Sequence, residues 1–176
     1  KLLDENVKEI LVYDNMTRGS YENLSEALRD PRVKINEAGG DILQTDILNS
    51  ALKHADAVFH FAALWLLQCH DYPRSAFDVN IKGTFNVMEA CINQGVKRLV
   101  YSSSASVYGN QSIHQKAKSY NPLNQYAISK LQVDYTVLDN IDKFSLVQGF
   151  RYFNVYGDGE DHKGNQASPV SKFTKE

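Results

Sequence analysis

Hydrophobic positions along the chain form two patterns that alternate from one end to the other. Short runs of nearly continuous apolar residues predict β-strands, whereas apolar residues that recur every three or four positions predict amphipathic helices. The predicted strands, some with the loop that follows, are residues 9–14, 32–42, 55–63, 96–104 and 144–157. The predicted helices are residues 20–30, 45–54, 74–94 and 122–140.

Residues at the ends of the predicted helices support these boundaries. Thr45 is an expected N-cap, Pro31 ends the first helix, and Gly95 is placed to cap the third. Asn121 and Pro122 begin the last helix in this interpretation, because proline is favoured at the first helical position. The boundaries therefore depend on capping chemistry as well as on periodicity.

The order of these elements indicates the fold class. Strict alternation of strands and helices, with strands that are apolar on both faces, is typical of a parallel sheet covered by helices on both sides. This is the doubly wound α/β class, in which ligands bind beyond the carboxyl ends of the strands. Functional side chains are therefore expected at those ends.

Composition narrows the function without identifying it. Hydrophobic residues make up 43% of the 176-residue chain and charged residues 23%, which is typical of a globular protein. The 19 basic and 21 acidic side chains give a net charge of −2, so nucleic acid and anionic membranes are not expected partners. No apolar run approaches the roughly 18–20 residues of a membrane helix. Cys69 and Cys91 are not spaced as metal ligands and indicate reduced thiols in a cytoplasmic protein.

The ends of the first two strands carry groups suited to a nucleotide. Asp14 and Asn15 follow the first strand, where a carboxylate can accept hydrogen bonds from the hydroxyls of an adenosine ribose. Asp41 and Ile42 follow the second strand and place a polar group beside an apolar one, which suits the edge and face of an adenine. The pattern therefore predicts the adenosine half of a dinucleotide site.

The third strand ends with small residues. Ala62 and Ala63 would let a flat ligand lie against the backbone, although an Ala-Ala pair is also compatible with ordinary packing. His60 lies within the same apolar strand, and we interpret it as a core residue with satisfied hydrogen bonds rather than as a ligand.

The fourth strand ends in a serine-rich segment, and the next helix carries a tyrosine and a lysine. A hydroxyl such as that of Ser104 can polarise a substrate carbonyl, although serine-rich loops commonly bond their own backbone. Tyr126 and Lys130 are four residues apart and so share one face of a helix. A free tyrosine titrates near pKa ~10, and an adjacent ammonium lowers that pKa by stabilising the phenolate. The pattern predicts that Tyr126 exchanges a proton while Lys130 lowers its pKa and holds ribose hydroxyls of a cofactor.

Seven segments of the sequence together resemble one known family. They are VYDN, GDI, FHFAAL, DVNIKGTFNVMEAC, VYSSSASVYG, YAISK and FRYFNVYG, in this order along the chain. The sequence resembles the extended short-chain dehydrogenase/reductase family, in its nucleotide-sugar epimerase and dehydratase branch, over almost the whole chain. The resemblance implies a Rossmann-like NAD(P)-binding domain in an enzyme that acts on a nucleotide sugar.

The resemblance assigns roles to the residues that match the family's motifs. It implies Ser104 as the catalytic serine, Tyr126 as the catalytic base and Lys130 as its partner. It implies cofactor contacts at Asp14, Asn15, Asp41, Ile42, Phe61, Ala62, Ala63, Asn80, Ser102, Tyr126, Lys130, Tyr152 and Val155. It implies substrate contacts at Ser104, Asn154 and Lys163, with Phe153 at the same strand end as Asn154.

The reaction implied by the resemblance is an epimerisation. Dehydratases and decarboxylases of this branch need carboxyl groups beside the catalytic serine, where this chain has Ala105 and Ser106. Residues 59–109 look most like UDP-glucose 4-epimerases, whereas the segment from Asn121 onwards looks more like ADP-heptose 6-epimerases, in which a lysine matching Lys163 is a second base. Both epimerisations stay open, with the 4-epimerase preferred. A non-catalytic, dinucleotide-binding relative is the alternative from another class.

The resemblance also implies a preferred cofactor, NAD, and a homodimeric assembly. Asp14 favours NAD, because a carboxylate repels a 2′-phosphate, although Arg18 nearby leaves NADP possible. Family members generally pair as homodimers through the two helices that match residues 74–94 and 122–140. A homodimer is therefore expected here.

Domain boundaries follow from the same comparison. The family's first strand and glycine-rich phosphate loop would precede Lys1, and its small sugar-nucleotide domain would follow Glu176. Residues 1–176 are therefore expected to be a partial NAD(P)-binding Rossmann domain, with the first strand, that loop and the substrate domain absent.

Overall fold

Two parallel β-sheets form the centre of the structure, a computed structural model that describes residues 1–110, 119–157, 164 and 167–173. The strands are β1 (Ile10–Val12), β2 (Val33–Ile35), β3 (Ala57–His60), β4 (Arg98–Ser104) and β5 (Leu146–Tyr152). β1 pairs with β2, and β3, β4 and β5 pair in that order, each pair in parallel. Every strand lies within a range predicted from the apolar runs, which confirms the α/β class.

The register of the larger sheet brings the carboxyl ends of its strands together. Phe59 of β3 pairs with Val100 of β4, which pairs with Gln148 of β5. The same register pairs Ser104 with Tyr152 at the last position of β4 and β5. The serine-rich segment therefore lies beside the strand end that carries the predicted substrate contacts.

The helices connect the strands in sequence. They are α1 (Tyr21–Leu24), α2 (Thr45–Ala51), α3 (Leu66–Asp71), α4 (Pro73–Ala76), α5 (Gly83–Gln94), α6 (Gln125–Asp139) and α7 (Pro169–Phe173). A π-helical segment, Phe77–Lys82, joins α4 to α5, so a helix runs through the predicted range 74–94. Gly95 ends it in the left-handed conformation, with φ 71°, as its position predicted.

Three predicted helix boundaries are wrong. Thr45 is the first residue of α2, and Gln44 precedes it at the N-cap. The last helix begins at Gln125, not at Pro122, because the Asn124 side chain accepts a hydrogen bond from the amide of Ala127 at 2.9 Å. The first predicted helix is only one turn, α1, followed by a separate 3₁₀ turn at Ala27–Arg29.

The hydrophobic core lies between α2, α5, α6 and the central strand β4. Its buried members include Ile42, Leu48, Val87, Met88, Ala90, Cys91, Leu99, Tyr101, Val133 and Val137. Ile42 connects the smaller sheet to this core, because its side chain lies against Gly83 and its carbonyl accepts a hydrogen bond from Asn86 at 3.0 Å. Cys69 and Cys91 are both buried and free, as expected of reduced thiols.

The opposite face of the larger sheet is more exposed. The ring of Phe59 in β3 contacts that of Phe61, which directly follows the strand. Phe150 and Tyr152 of β5 also contact each other, and all four rings are about half exposed. Among the described residues, no helix is both long and apolar enough to span a membrane.

Candidate active site

The loops after β1 and β2 enclose a groove of about 880 Å³, lined in part by Asp14, Asn15, Asp41 and Gly39. Gly40 also lines it and brings the two loops into contact. A Cβ atom at Gly40 would lie 2.0 Å from the carbonyl oxygen of Asp14, so only glycine allows this approach. The volume is in the range of small-molecule sites. The predicted adenosine residues therefore meet at one groove.

Hydrogen bonds within these loops hold the carboxylates in place. The Asp14 carboxylate accepts from the amide of Met16 at 2.7 Å, and the Asp41 carboxylate accepts from the amide of Leu43 at 2.9 Å. Asp14 is exposed, so its carboxylate keeps acceptor capacity for a ligand. The Ile42 side chain is buried in the core instead of lining the groove, and its adenine contact stays a prediction.

The end of β4 turns sharply at Ser104. This residue caps the 3₁₀ turn Ala105–Tyr108, and its hydroxyl oxygen accepts hydrogen bonds from the amide of Ser106 at 3.2 Å and from the Ser106 hydroxyl at 2.8 Å. The single Ser104 proton is then available for another acceptor. The Tyr126 phenol oxygen is near enough to be that acceptor, because the Ser104 hydroxyl lowers the pKa of this phenol.

Backbone contacts bring the start of α6 to this turn. Gly109 has φ 64°, and a Cβ there would lie 2.1 Å from the carbonyl oxygen of Asn121. The amide of Asn121 donates to the carbonyl of Val107 at 3.0 Å. The chain therefore returns to the Ser104 turn just before α6 begins, which is why Tyr126 lies opposite Ser104.

Lys130 is buried beneath this pair, with 4% of its surface exposed. Its Nζ donates to the carbonyl oxygen of Ser102 at 2.9 Å and to the Ser102 hydroxyl at 3.3 Å, and it lies 5.9 Å from the centre of the Tyr126 ring. Burial lowers the pKa of Lys130 to about 8, although nearby Cys69 and Asp134 oppose the change. Lys130 is therefore mainly an ammonium at neutral pH.

The pKa of Tyr126 moves in the direction opposite to the sequence prediction. Burial raises the pKa of this phenol, the hydrogen bond with Ser104 lowers it in part, and nearby Cys69 raises it further. The expectation that Lys130 lowers the phenol pKa is wrong for this structure, because the ammonium is directed at Ser102 and burial dominates. Tyr126 therefore carries its proton at neutral pH.

Asn80 joins the loop after β3 to α6. Its side-chain oxygen accepts from the amide of Leu64 at 2.7 Å, and its NH₂ group donates to the Leu64 carbonyl and the Ser129 hydroxyl, each at 3.1 Å. The same NH₂ group lies 3.4 Å from the sulfur of Cys69. With 1% of its surface exposed, Asn80 fixes the loop that carries the alanines and the residue next to Lys130.

His60 is a core residue, as the sequence predicted. Its Nε2 lies 2.8 Å from the Thr84 hydroxyl, which itself donates to the carbonyl of Asn80 at 2.7 Å. Because the Thr84 proton is used in that bond, Nε2 carries the imidazole proton and donates to Thr84. Burial, with a further contribution from the Lys130 charge, lowers the pKa of His60 to about 3, so the ring is neutral.

The remaining predicted contacts lie at the ends of β3, β4 and β5. Phe61, Ala62, Tyr152, Phe153, Asn154 and Val155 are exposed, and Ala63 and Ser102 are partly buried. They surround the strand ends beside Lys130, and their ligand contacts stay predictions. Lys163 lies outside the described residues, and within those residues no cluster of three or more His, Cys, Asp or Glu side chains could hold a metal ion.

Sequence reasoning did not identify a buried charged pair next to the site. Asp134 lies one helical turn after Lys130, and its carboxylate accepts from the Arg151 guanidinium of β5 at 2.9–3.0 Å. The signal that could have found it is an acidic residue at the fourth position after the lysine, on the same helix face. Cys69, beside Tyr126, had no comparable signal.

The comparisons with known proteins agree with this arrangement. Residues 1–175 match the model of the NAD dependent epimerase/dehydratase family. The chain is 34% identical over 173 residues to ADP-L-glycero-D-manno-heptose-6-epimerase of Brachyspira hyodysenteriae; the match covers 92% of this chain and 51% of that protein. The chain thus spans about half the length of this curated relative.

Two solved structures have the same fold. UDP-N-acetylglucosamine 4-epimerase from Methanobrevibacter ruminantium M1, in complex with UDP-N-acetylmuramic acid, has a TM-score of 0.83 and 27% identity, covering 95% of this chain and 54% of that one. A double mutant of dTDP-glucose 4,6-dehydratase from Streptomyces venezuelae, solved with NAD bound, has a TM-score of 0.79 and 28% identity, covering 89% of this chain and 49% of that one. With the family match over nearly every residue, these similarities show that the chain belongs to the NAD-dependent epimerase/dehydratase family.

Proposed function

We propose that this chain is the dinucleotide-binding part of a cytoplasmic NAD-dependent epimerase that inverts one carbon of a nucleotide sugar, in the first instance a UDP-hexose 4-epimerase. The observation that carries the proposal is that backbone contacts bring the Ser104 turn to the start of α6, opposite Tyr126, with the Lys130 ammonium buried one turn away and bonded to Ser102. A serine donor, a titratable phenol and a fixed cation are the groups required to move a hydroxyl proton.

The residues present fit a dinucleotide. The groove at Asp14 and Asp41 has the volume, the acceptors and the close backbone approach at Gly40 that an adenosine requires. Lys130 and the small residues Ala62 and Ala63 would border the nicotinamide half at the other strand ends. When bound, oxidised NAD would accept a hydride from the sugar carbon and return it, and its positive charge would favour the Tyr126 phenolate.

The chain's own residues handle the proton. The Tyr126 phenolate takes the proton of the sugar hydroxyl, and it returns that proton to the oxygen when the carbon is reduced again from its other face. The Ser104 hydroxyl donates to the sugar oxygen while it is a carbonyl. Tyr126 holds the proton between the two half-reactions, so no proton need leave the site. Lys130 stays protonated at neutral pH and, through its bonds to Ser102, fixes the end of β4 beside Tyr126.

Two observations bear on which reaction is catalysed. The turn after Ser104 has Ala105 and Ser106, without the carboxyl groups that the related dehydratases use beside this serine, which favours epimerisation. The curated relative is an ADP-heptose 6-epimerase, which keeps ADP-glycero-manno-heptose 6-epimerisation as the second candidate. NAD is preferred to NADP because the Asp14 carboxylate borders the groove and would repel a 2′-phosphate. Arg18 lies over the Trp65 ring, 5.0 Å from its centre.

The direct test is turnover by the intact gene product, with NAD or NADP added. UDP-glucose, UDP-N-acetylglucosamine and ADP-heptose are supplied separately, and the epimer ratio is measured by NMR. We expect one UDP-hexose to be converted with NAD as the better cofactor. Conversion of ADP-heptose alone would support the second candidate, and NADP preference above roughly tenfold would overturn the cofactor assignment. Tight dinucleotide binding without any turnover would establish the non-catalytic alternative.

We also propose that two copies pair through the outer face of α5 and α6. Phe85, Tyr135 and Leu138 are each about half exposed there and border a groove of about 810 Å³ between the two helices. Clustered apolar side chains of this kind mark protein interfaces more often than free surface. An isologous pair would bury the same residues on both copies.

Phe85→Glu in the intact gene product is expected to convert a dimer to a monomer at micromolar concentration, because a carboxylate would be buried without a partner. Phe85→Leu is the matched control and should stay dimeric. Sedimentation velocity measures both. A wild-type monomer, or a Phe85→Glu dimer, would contradict the proposed interface.

A further inference from the structure

A single guanidinium, that of Arg151 on β5, contacts three other segments of the chain. Its Nε and Nη2 atoms donate to the Asp134 carboxylate at 3.0 and 2.9 Å. Nη1 donates to the Tyr108 hydroxyl at 2.6 Å, and Nη2 also donates to the Tyr120 hydroxyl at 2.8 Å. The guanidinium carbon lies 5.2 and 4.8 Å from the centres of the Tyr108 and Tyr120 rings, so the cation also contacts both aromatic faces.

The three segments are those that carry the catalytic side chains. Tyr108 ends the turn that begins at Ser104, and Asp134 follows Lys130 by one turn of α6. Tyr120 lies in the segment that leads into α6 just before Tyr126. A displacement of the guanidinium would therefore change the distance between the turn and the helix.

The Asp134 end of this contact is buried, whereas the Arg151 side chain is 29% exposed. Asp134 is 3% exposed, and its second carboxylate oxygen accepts from the Tyr101 hydroxyl at 3.1 Å. Tyr101 reaches it because Gly149, its neighbour on β5, has no side chain: a Cβ there would lie 2.5 Å from the Tyr101 ring. Every polar atom of Asp134 thus has a partner, and its orientation is fixed from two strands.

We propose that Arg151 positions the Ser104 hydroxyl against the Tyr126 phenol by holding, from β5, the three segments that carry the catalytic groups. This inference rests on the proposed function. Arg151 contacts Asp134, Tyr108 and Tyr120, which are not among the proposed catalytic residues. It is therefore a positioning residue that acts through them. A guanidinium makes these bonds at once because its donors are spread over a planar fork. A lysine ammonium, a compact point charge, cannot reach all three partners.

Arg151→Lys tests the geometry while it keeps the charge. We expect kcat to fall roughly 10- to 100-fold with little change in KM, because the ground-state contacts of the substrate remain while the proton donor is misplaced. The acidic limb of the kcat profile should also move to higher pH, since a weaker Ser104 bond raises the pKa of Tyr126. Arg98→Lys, at the exposed start of β4, is the matched control and should change neither.

Two results would overturn the proposal. One is Arg151→Lys with wild-type kcat and pH profile; the other is a loss of activity that follows the folded fraction with the profile unmoved, which indicates a purely structural role. A separate readout is the pKa of Tyr126, measured from the ¹³C shift of its labelled Cζ carbon and assigned with Tyr126→Phe. If the wild type turns over no nucleotide sugar, the proposed function fails, and the Tyr126 titration alone decides: an equal pKa in wild type and Arg151→Lys overturns the positioning role.

Discussion

Replacing Tyr126 with phenylalanine is expected to lower kcat of the intact gene product by about 10²- to 10⁴-fold, the range for loss of a general acid–base group. Tyr126 is the titratable side chain that lies opposite the Ser104 hydroxyl, which lowers the pKa of its phenol. Lys130 does not replace it, because its Nζ is bonded to Ser102 and is cationic at neutral pH. The measurement is turnover of the nucleotide sugar identified as substrate.

The Tyr126→Phe variant should otherwise behave as the wild type. Removing one hydroxyl leaves the ring in place, so the dissociation constant for NAD and the thermal midpoint should change little. Tyr72→Phe is the matched control, since this tyrosine is well exposed at the end of α3 and should keep full activity. Activity of Tyr126→Phe within tenfold of wild type would mean that another group moves the proton, and the proposed mechanism would be wrong.

The strands and the general position of the site could be predicted because they depend on local patterns. Apolar runs located the five strands of the described residues, and polar residues at their ends marked both the groove at Asp14 and the turn at Ser104. Helix starts were harder, because capping depends on which nearby side chain reaches the free amides. Asn124 does so and begins α6, although Pro122 is the residue whose type favours a helix start.

The electrostatics of the site could not be predicted from the sequence. Spacing places Tyr126 and Lys130 on one helix face. It does not reveal that the Lys130 ammonium donates to the Ser102 carbonyl, or that burial of the Tyr126 phenol raises its pKa. The contacts of Arg151 join residues far apart in the chain, so no local pattern indicates them. Three-dimensional burial therefore decides the protonation states that the sequence could only suggest.

Acid pH is expected to destabilise the folded protein through His60. The pKa of this buried imidazole is lowered to about 3, whereas in the unfolded chain it lies near ~6.5. As the pH falls below the unfolded value, the unfolded chain binds a proton that the folded state excludes, so stability is lost progressively from about pH 6.5 towards pH 3. Between pH 6.5 and 4.5 the loss is on the order of 2–3 kcal/mol, at about 1.4 kcal/mol per pH unit.

His60→Gln separates this effect from the titration of carboxylates. Glutamine can still donate to the Thr84 hydroxyl but does not titrate, so the variant should lose about 2 kcal/mol less between pH 6.5 and 4.5 than the wild type. His70→Gln, at an exposed position of α3, should leave the pH dependence unchanged. Urea unfolding at both pH values measures the free energies. Equal pH dependence in His60→Gln and wild type would show that the imidazole is protonated in the folded state, which the Lys130 ammonium and the surrounding core oppose.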